Sequence, residues 1–174
     1  MKKILAIAAI SLLWLGCKDN NVKDDGLNET DKTFMKNTSR ADQAEIEFGQ
    51  LATQKSQSQS VKDFGMQMAT EHGTSVNELQ ALADKKGVAI VRTMDELHQS
   101  KKDALVAAHD TFDQDYIQSQ IDDHKIVIAM FENEEANGKD AEVRAFASKQ
   151  LPHLREHLSK AEQILTSLQA PVGG

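Results

Sequence analysis

Apolar residues recur every three or four positions along four long stretches of the chain, the spacing that gathers side chains on one face of an α-helix. This pattern predicts long helices over 31–55, 61–86, about 111–137 and 140–168, and a shorter helix over 94–108 whose apolar face includes Leu97 and Leu105. No stretch alternates apolar and polar residues as a half-buried strand does. We therefore predict an all-α, ferritin-like four-helix bundle, with the short extra helix in the crossover between the second and third long helices.

Residues that cap or stop helices mark the boundaries of these segments. Gly87 follows the second long helix, where a residue without a side chain readily takes the left-handed conformation that ends a helix. Pro152 lies inside the last helix, and a kink is expected there because its ring removes one backbone donor. The expected N-caps are Ser58 or Ser60, Thr93 in a capping box with Glu96, Asp110 or Thr111, and Asp140.

Each long helix carries one ionisable residue within its apolar face: Glu45, His72, His124 and His157. A buried polar group without a partner costs a few kcal/mol, so these side chains are expected to meet one another. Counting 1.5 Å per residue places Glu45 and His72 at roughly 17–20 Å from one end of the bundle. The same counting puts His124 at about 20 Å and His157 at about 28 Å from the turn between their helices, a mismatch that a kink at Pro152 would reduce.

One carboxylate and three imidazoles at nearly one level suit a metal ion, since zinc, iron, manganese and copper all bind these ligand types. His153 lies four residues before His157 and is a further candidate ligand. Glu71 and Asp113 are predicted to support the site without binding the ion. Asp113 lies three helical turns from His124 and is expected to orient a helix start. The alternative is a buried carboxylate–imidazole network that holds no metal.

Composition and charge exclude several classes of function. The formal net charge is -7, and no basic stripe runs along any helix, which argues against nucleic-acid binding. The single cysteine lies at position 17, where we expect it to be lipidated, so disulfides and thiol catalysis are not expected. No nucleotide chemistry is expected either. The acidic group Glu132, Glu134 and Glu135 is interpreted as a solvated helix end.

The N-terminal residues predict an exported lipoprotein. Met1–Lys3 is cationic, residues 4–15 are apolar but too few to span a bilayer comfortably, and Gly16-Cys17 follows in a sequence that resembles a lipobox. We expect residues 1–17 to be the signal, with Cys17 as the site of lipidation and membrane attachment. Residues 18–30 would be a flexible polar tether and 171–174 a disordered tail. An ordinary secretory signal is the alternative.

Several short blocks follow one another in an order found in a known family. They are EIEFGQLA at 45–52, VKDF at 61–64, EH at 71–72, FDQDY at 112–116, His124 and LPHLREHL at 151–158. The chain resembles the exported bacterial family DUF4142, often labelled predicted outer-membrane protein and grouped with ferritin-like folds. The resemblance covers nearly all of 31–168, although this chain has Glu71 where the family usually has aspartate. It implies the fold and an outer-membrane location, which Lys18 after the cysteine also favours, and it implies no reaction.

Di-iron ferritins place a glutamate three residues before a ligand histidine, but this chain has Ala69, Ile121 and Leu154 at those positions. Ferroxidase chemistry is therefore not expected. The leading hypothesis is a non-catalytic, lipid-anchored envelope protein that binds one metal ion in its core. One alternative is an envelope metalloenzyme or oxidative-stress protein that uses the same histidine and glutamate residues. Another is an interaction module with unidentified protein partners.

Overall fold

The computed structural model describes residues 26–170. It contains five helices, which are α1 (Glu29–Lys55), α2 (Gln59–Lys86), α3 (Glu96–Ala107), α4 (Phe112–Asn137) and α5 (Ala141–Gln169). No strand occurs within residues 26–170, so the all-α prediction is confirmed for this part of the chain. The predicted signal with Cys17, the tether up to residue 25 and the tail at 171–174 lie outside the described residues.

The four long helices form two hairpins, which we call the first hairpin (α1 and α2) and the second hairpin (α4 and α5). The crossover between them carries α3 and runs beside α1. Ser39 Oγ in the first half of α1 donates to the Val91 carbonyl at 2.7 Å, and Lys55 Nζ at the end of α1 donates to the Leu105 carbonyl at 3.2 Å. The crossover therefore spans the length of the bundle, and α4 begins at the end where α1 finishes, antiparallel to it.

The apolar core forms two clusters along the bundle. One contains Phe48, Phe64, Tyr116 and their neighbours, and the other is built around Phe34 and Phe131. Burial of a large apolar side chain stabilises the fold by about 1.5–3 kcal/mol, so these clusters supply most of the attraction between the hairpins. His72 on α2, His124 on α4 and His157 on α5 each lie between the residues that their helix contributes to one cluster and those that it contributes to the other. These three histidines therefore have a packed apolar cluster on each side of them along the bundle axis.

The first hairpin is held by a close backbone contact. A Cβ added to Gly49 would lie 2.3 Å from the backbone oxygen of Gly65, and one added to Gly65 would lie 2.7 Å from the backbone oxygen of Gly49. No larger residue fits at either position without moving a helix. This contact fixes the spacing of the two helices that carry Asp42 and His72.

The helix ends agree only partly with the prediction. Gly87 ends α2 with φ 69 in the left-handed region, and Asp140 caps α5 through its side chain, as the sequence predicted. The capping box predicted at Thr93 is wrong, because Asp95 is the N-cap of α3 and accepts a hydrogen bond from the His98 backbone at 3.0 Å. Ser58 and Thr111 occupy N-cap positions without a side-chain capping bond. None of the helices within residues 26–170 is long and apolar enough to cross a membrane.

Two further differences concern the start of α1 and the position of Leu97. α1 begins at Glu29, two residues before the predicted start, because Asn28 and Asp31 form a capping box and Leu27 is buried beside it. Leu97 is 64% exposed instead of facing the bundle, which leaves Leu105 as the buried residue of α3. α5 runs across Pro152 as one helix over Ala141–Gln169, as the sequence predicted, and the kink expected at Pro152 stays a prediction.

Glu134 is buried at the end of the bundle where α4 meets α5, so the solvated position predicted for it is wrong. Its side chain is 0% exposed and lies so close to Gly138 that a Cβ there would come within 2.0 Å of Glu134 Oε1. Burial, together with the neighbouring Asp31 carboxylate, raises the pKa of Glu134 to about 8. The adjacent Glu132 and Glu135 are exposed, as expected.

Candidate metal centre

Three histidines from three helices converge in the middle of the bundle. His72 on α2, His124 on α4 and His157 on α5 are only 5%, 1% and 2% exposed. Their ring centroids lie 5.4–5.7 Å apart in a triangle. One nitrogen from each ring lies within 4.8 Å of the others. Within residues 26–170 this is the one group of three or more histidine, cysteine or acidic side chains close enough to share an ion.

Hydrogen bonds fix the orientation of the first two rings. Nδ1 of His72 lies 2.8 Å from Oδ1 of Asp42, and Nδ1 of His124 lies 2.8 Å from the backbone oxygen of Gln120. A carbonyl oxygen only accepts, so His124 carries its proton on Nδ1 and presents the lone pair of Nε2. Nε2 of His72 is buried and has no hydrogen-bond partner among the described residues. Nε2 of His72 is therefore free to bind an ion, and Nε2 of His124 directs its lone pair toward Nδ1 of His157.

The third ring lies between the centre and the protein surface. Nε2 of His157 lies 2.8 Å from Oε2 of Glu71, and its Nδ1 lies 3.3 Å from Nε2 of His124. Metal-binding histidines nearly always donate their second ring N–H to a carboxylate or a backbone carbonyl. All three rings have such a partner on their outer nitrogen. Each histidine thus has one nitrogen facing the other rings and a hydrogen-bond partner on its second nitrogen, as the histidines of a metal site do.

The electrostatics of the site differ between the three imidazoles. Burial and the neighbouring rings of His72 and His157 lower the pKa of His124 to about 3, so this ring is neutral at any ordinary pH. Burial and His72 also lower the pKa of His157. Burial opposes the charged form of His72 too, but the hydrogen bond and charge of Asp42 outweigh it and raise the pKa. An ion bound here would displace any proton on Nε2 of His72.

Glu45, predicted as the fourth ligand, lies beside the three histidines but outside their group. It is 3% exposed, and burial raises its pKa to about 7, although the nearby His72 favours the carboxylate. Its Oε2 has no hydrogen-bond partner among the described residues, and neither amide atom of the buried Gln120 has one. Glu45 therefore supplies a negative charge close to the centre when it is ionised.

The other predicted residues fall in different places. Glu71 supports the site directly through His157. His153 is exposed and lies outside the group, so it is not placed to bind an ion together with the three buried histidines. Asp113 is remote from the centre and accepts a hydrogen bond from the Ser58 backbone at 3.1 Å, which ties the start of α4 to the turn of the first hairpin.

Sequence reasoning missed Asp42, which holds His72 in place and is 4% exposed. The signal was its spacing: Asp42 lies three residues before Glu45 and four after Thr38, on the same helical face. Asp123 was also missed. It is 5% exposed and pairs with Lys101 of α3, which joins the crossover to the polar interior.

A cleft of about 290 Å³ connects the centre to the protein surface. Asp42, His72 and His157 contribute to its lining, and the more exposed residues at its mouth include Glu71 and His153. The remaining lining residues are Thr74, Ser75, Glu78, Phe131, Lys149, Gln150, Leu154 and Glu156. The cleft reaches two of the three histidines, so the centre has a route to solvent although its rings are buried.

The fold and this centre define an all-α helical bundle with a buried three-histidine site. The chain belongs to the family described as "Domain of unknown function (DUF4142)", whose sequence profile matches residues 18–164. This finding confirms the resemblance seen in the sequence. A comparison with curated proteins gives no match.

Solved structures with the same fold include one copper-bound protein in two forms. The chain is similar to CopM in the Cu(I)-bound form, with a TM-score of 0.70, 18% identity and coverage of 82% of this chain and 100% of that chain. CopM in the Cu(II)-bound form gives 0.69 and 17%, with coverage of 79% and 97%. A DUF305 fragment from Deinococcus radiodurans gives 0.70 and 13%, with coverage of 81% and 98%. At these identities the similarity concerns the fold.

Proposed function

We propose that this protein binds one first-row transition-metal ion through Nε2 of His72, Nε2 of His124 and Nδ1 of His157. The observation that carries the proposal is the hydrogen bond that each histidine makes through the nitrogen facing away from the other two rings. Each ring has its other nitrogen engaged by a carboxylate or a backbone carbonyl, and one nitrogen of each ring lies within 4.8 Å of the others. Carboxylate and carbonyl partners of this kind set the tautomer of ligand histidines and raise their basicity.

The ligand chemistry narrows the choice of metal. Neutral imidazoles suit zinc, copper, iron and nickel, whereas magnesium and calcium require oxygen ligands. Copper is the first ion to test, because CopM has the same fold and is known in Cu(I)-bound and Cu(II)-bound forms. Zinc is the second, since three histidines with an open fourth position also match its usual coordination. Asp42 and Glu45 would offset the added positive charge.

The proposal places this site in a cell-envelope protein. A signal with lipid attachment at Cys17, and location at the outer membrane, are supported by the cationic start, the apolar run and the lipobox-like Gly16-Cys17. The crossover with α3 spans the length of the bundle, which supports the ferritin-like topology that we propose for the fold. Labelling of cells with radioactive fatty acid tests the anchor: wild type should be labelled, and Cys17→Ser should not.

Metal titration of the purified, untagged protein tests the site. Wild type should bind one equivalent of Cu or Zn in competition with a chromophoric chelator, and metal at 100 times its dissociation constant should stabilise it by about 2.7 kcal/mol. His124→Leu should lose this binding while keeping its helical circular dichroism. His109→Leu is the matched control, because His109 is exposed and lies at the turn before α4. Equal metal affinity in His124→Leu and wild type would refute the proposed function.

A further inference from the structure

The metal centre is closed toward the cleft that leads to it. Nε2 of His72 is buried, and Nε2 of His124 and Nδ1 of His157 lie 3.3 Å apart, which is close to hydrogen-bond contact. The side chains of His72 and His157 line the cleft, whereas His124 lies behind them. An ion that arrives through the cleft therefore reaches all three nitrogens only after one of the rings has moved.

His157 is the ring whose movement costs least. His72 is held by Asp42, which is only 4% exposed, and His124 is held by a backbone carbonyl of its own helix. The partner of His157 is the carboxylate of Glu71, which is 40% exposed and lines the cleft. A hydrogen bond that water can replace costs little to break, whereas a buried group left without a partner loses its full solvation. Opening is therefore easiest at the contact between His157 and Glu71.

A chain of three hydrogen bonds holds this contact in place. Nζ of Lys160 donates to Oε1 of Gln67 at 2.6 Å, and Nε2 of Gln67 donates to Oε1 of Glu71 at 2.9 Å. Oε2 of Glu71 lies 2.8 Å from Nε2 of His157. Lys160 and His157 lie one turn apart on α5. Gln67 and Glu71 are likewise one turn apart on α2, so the chain crosses between the two helices twice and engages both oxygens of the carboxylate.

We propose that His157 is a gate between the cleft and the metal centre, and that the Lys160–Gln67 pair keeps this gate closed by fixing Glu71. This inference rests on the proposed function of the inner site. The gate opens when the His157 ring turns into the cleft, which lets an ion reach Nε2 of His72. The Lys160–Gln67 pair touches none of the ligand nitrogens and holds Glu71 whether or not an ion is bound. It therefore slows entry and release equally and leaves the affinity unchanged.

Stopped-flow absorption with Co²⁺ measures both rates, because cobalt binds zinc-type ligands and absorbs visible light when bound. Mixing the metal-free protein with Co²⁺ gives the rate constant for entry, and mixing the loaded protein with excess EDTA gives the rate constant for release. Gln67→Leu removes two hydrogen bonds of the chain. It should raise both rate constants by about three- to tenfold and leave their ratio, the dissociation constant, within about twofold of wild type. Lys160→Met removes one of these bonds and should raise both by a smaller factor.

Gln80→Leu is the matched control, because Gln80 lies on the same helix and donates to Asp84, four residues later, at 2.8 Å. It should leave both rate constants at their wild-type values. Entry and release that rise together in Gln67→Leu, and not in Gln80→Leu, support the gate. Lys160→Met decides the matter in the same way should Gln67→Leu not fold.

Two results overturn the gate and leave the inner site standing. The first is unchanged rate constants in Gln67→Leu. The second is any change in which the two rate constants do not rise together, such as faster release with a matching loss of affinity, because the pair would then position a ligand without controlling its movement. Failure of wild type to bind one equivalent of Co²⁺ overturns the inner site and the gate with it.

Discussion

The buried carboxyl of Glu134 should make the stability of the protein depend on pH. Its pKa is raised to about 8 from the ordinary 4.5, because burial and the Asp31 carboxylate disfavour its charge. Asp31 accepts backbone hydrogen bonds from Asn28, Lys139 and Asp140 at 2.6–3.1 Å, whereas neither oxygen of Glu134 has a partner among the described residues. Glu134, whose pKa is raised to about 8, therefore holds its proton at neutral pH.

The sign of the effect follows from this raised pKa. The folded state holds the proton more tightly than the unfolded state, so the stabilisation is complete below pH 4.5 and is lost as the pH rises to about 8. Each pKa unit corresponds to about 1.4 kcal/mol, and because Glu134 lies at the end of the bundle near solvent we expect a loss of about 2–3 kcal/mol. Glu134→Gln has nearly the same size but cannot ionise, so it should remove this part of the dependence.

Urea unfolding between pH 5 and pH 9 measures the effect. Glu134→Gln should lie within about 1 kcal/mol of wild type at pH 5 and be more stable than wild type at pH 9. The difference between the two curves isolates Glu134 from the other groups that titrate in this range, which include Glu45. Glu135→Gln, on the exposed side of the same helix, should follow wild type throughout. Parallel curves for Glu134→Gln and wild type would refute the raised pKa of Glu134.

Three further predictions concern packing and the metal centre. Gly65→Ala should destabilise the protein by at least 1–3 kcal/mol in urea unfolding because its Cβ would lie 2.7 Å from a backbone oxygen, whereas Gly73→Ala, with nothing within 4 Å, should stabilise it by about 0.5–1 kcal/mol. A stable Gly65→Ala protein would contradict the close contact. Asp42→Asn should weaken metal binding about 10–100-fold in chelator competition, and an unchanged affinity would mean that Asp42 does not position the ligand His72. His72→Leu and His124→Leu should be non-additive by about 0.5–3 kcal/mol in a double-mutant cycle, and strict additivity would exclude a shared site.

The helices were predictable because their periodicity is strong and their ends carry recognisable residues. Gly87 and Asp140 occupy the boundary positions that the sequence indicated. The wrongly predicted helix start, that of α3, lies where two residues that both suit an N-cap are only two positions apart. Thr93 and Asp95 both suit an N-cap, and the choice between them depends on how the crossover packs against α1, which local sequence does not specify.

The three histidines were predicted to converge, although counting residues left His124 and His157 at different levels. The direction of side chains removes this mismatch. A helical side chain tilts toward the N-terminus of its own helix, and α4 and α5 are antiparallel, so the two rings tilt toward each other. No kink at Pro152 is required for this.

Buried acids were the hardest residues to predict. Asp42 and Glu134 are charged residues near charged neighbours, and such residues usually face water. Their burial depends on partners distant in sequence, His72 for Asp42 and Asp31 for Glu134, which no local pattern reveals. Glu45 was predicted as a ligand from its position alone, and its distance from the histidine group depends on the side-chain packing around it.

The division of the ligands between the hairpins has a consequence for the mechanics of the fold. His72 belongs to the first hairpin, and His124 and His157 belong to the second. A bound ion would therefore tie together two units that are otherwise joined by apolar packing, by hydrogen bonds and ion pairs such as Lys86–Asp140, and by the crossover. A disulfide ties distant segments of an extracellular domain in the same way. In a chain whose one cysteine is at position 17, this would be the available cross-link. Unlike a disulfide it could be withdrawn by a chelator, so metal supply would set how tightly the two halves are joined.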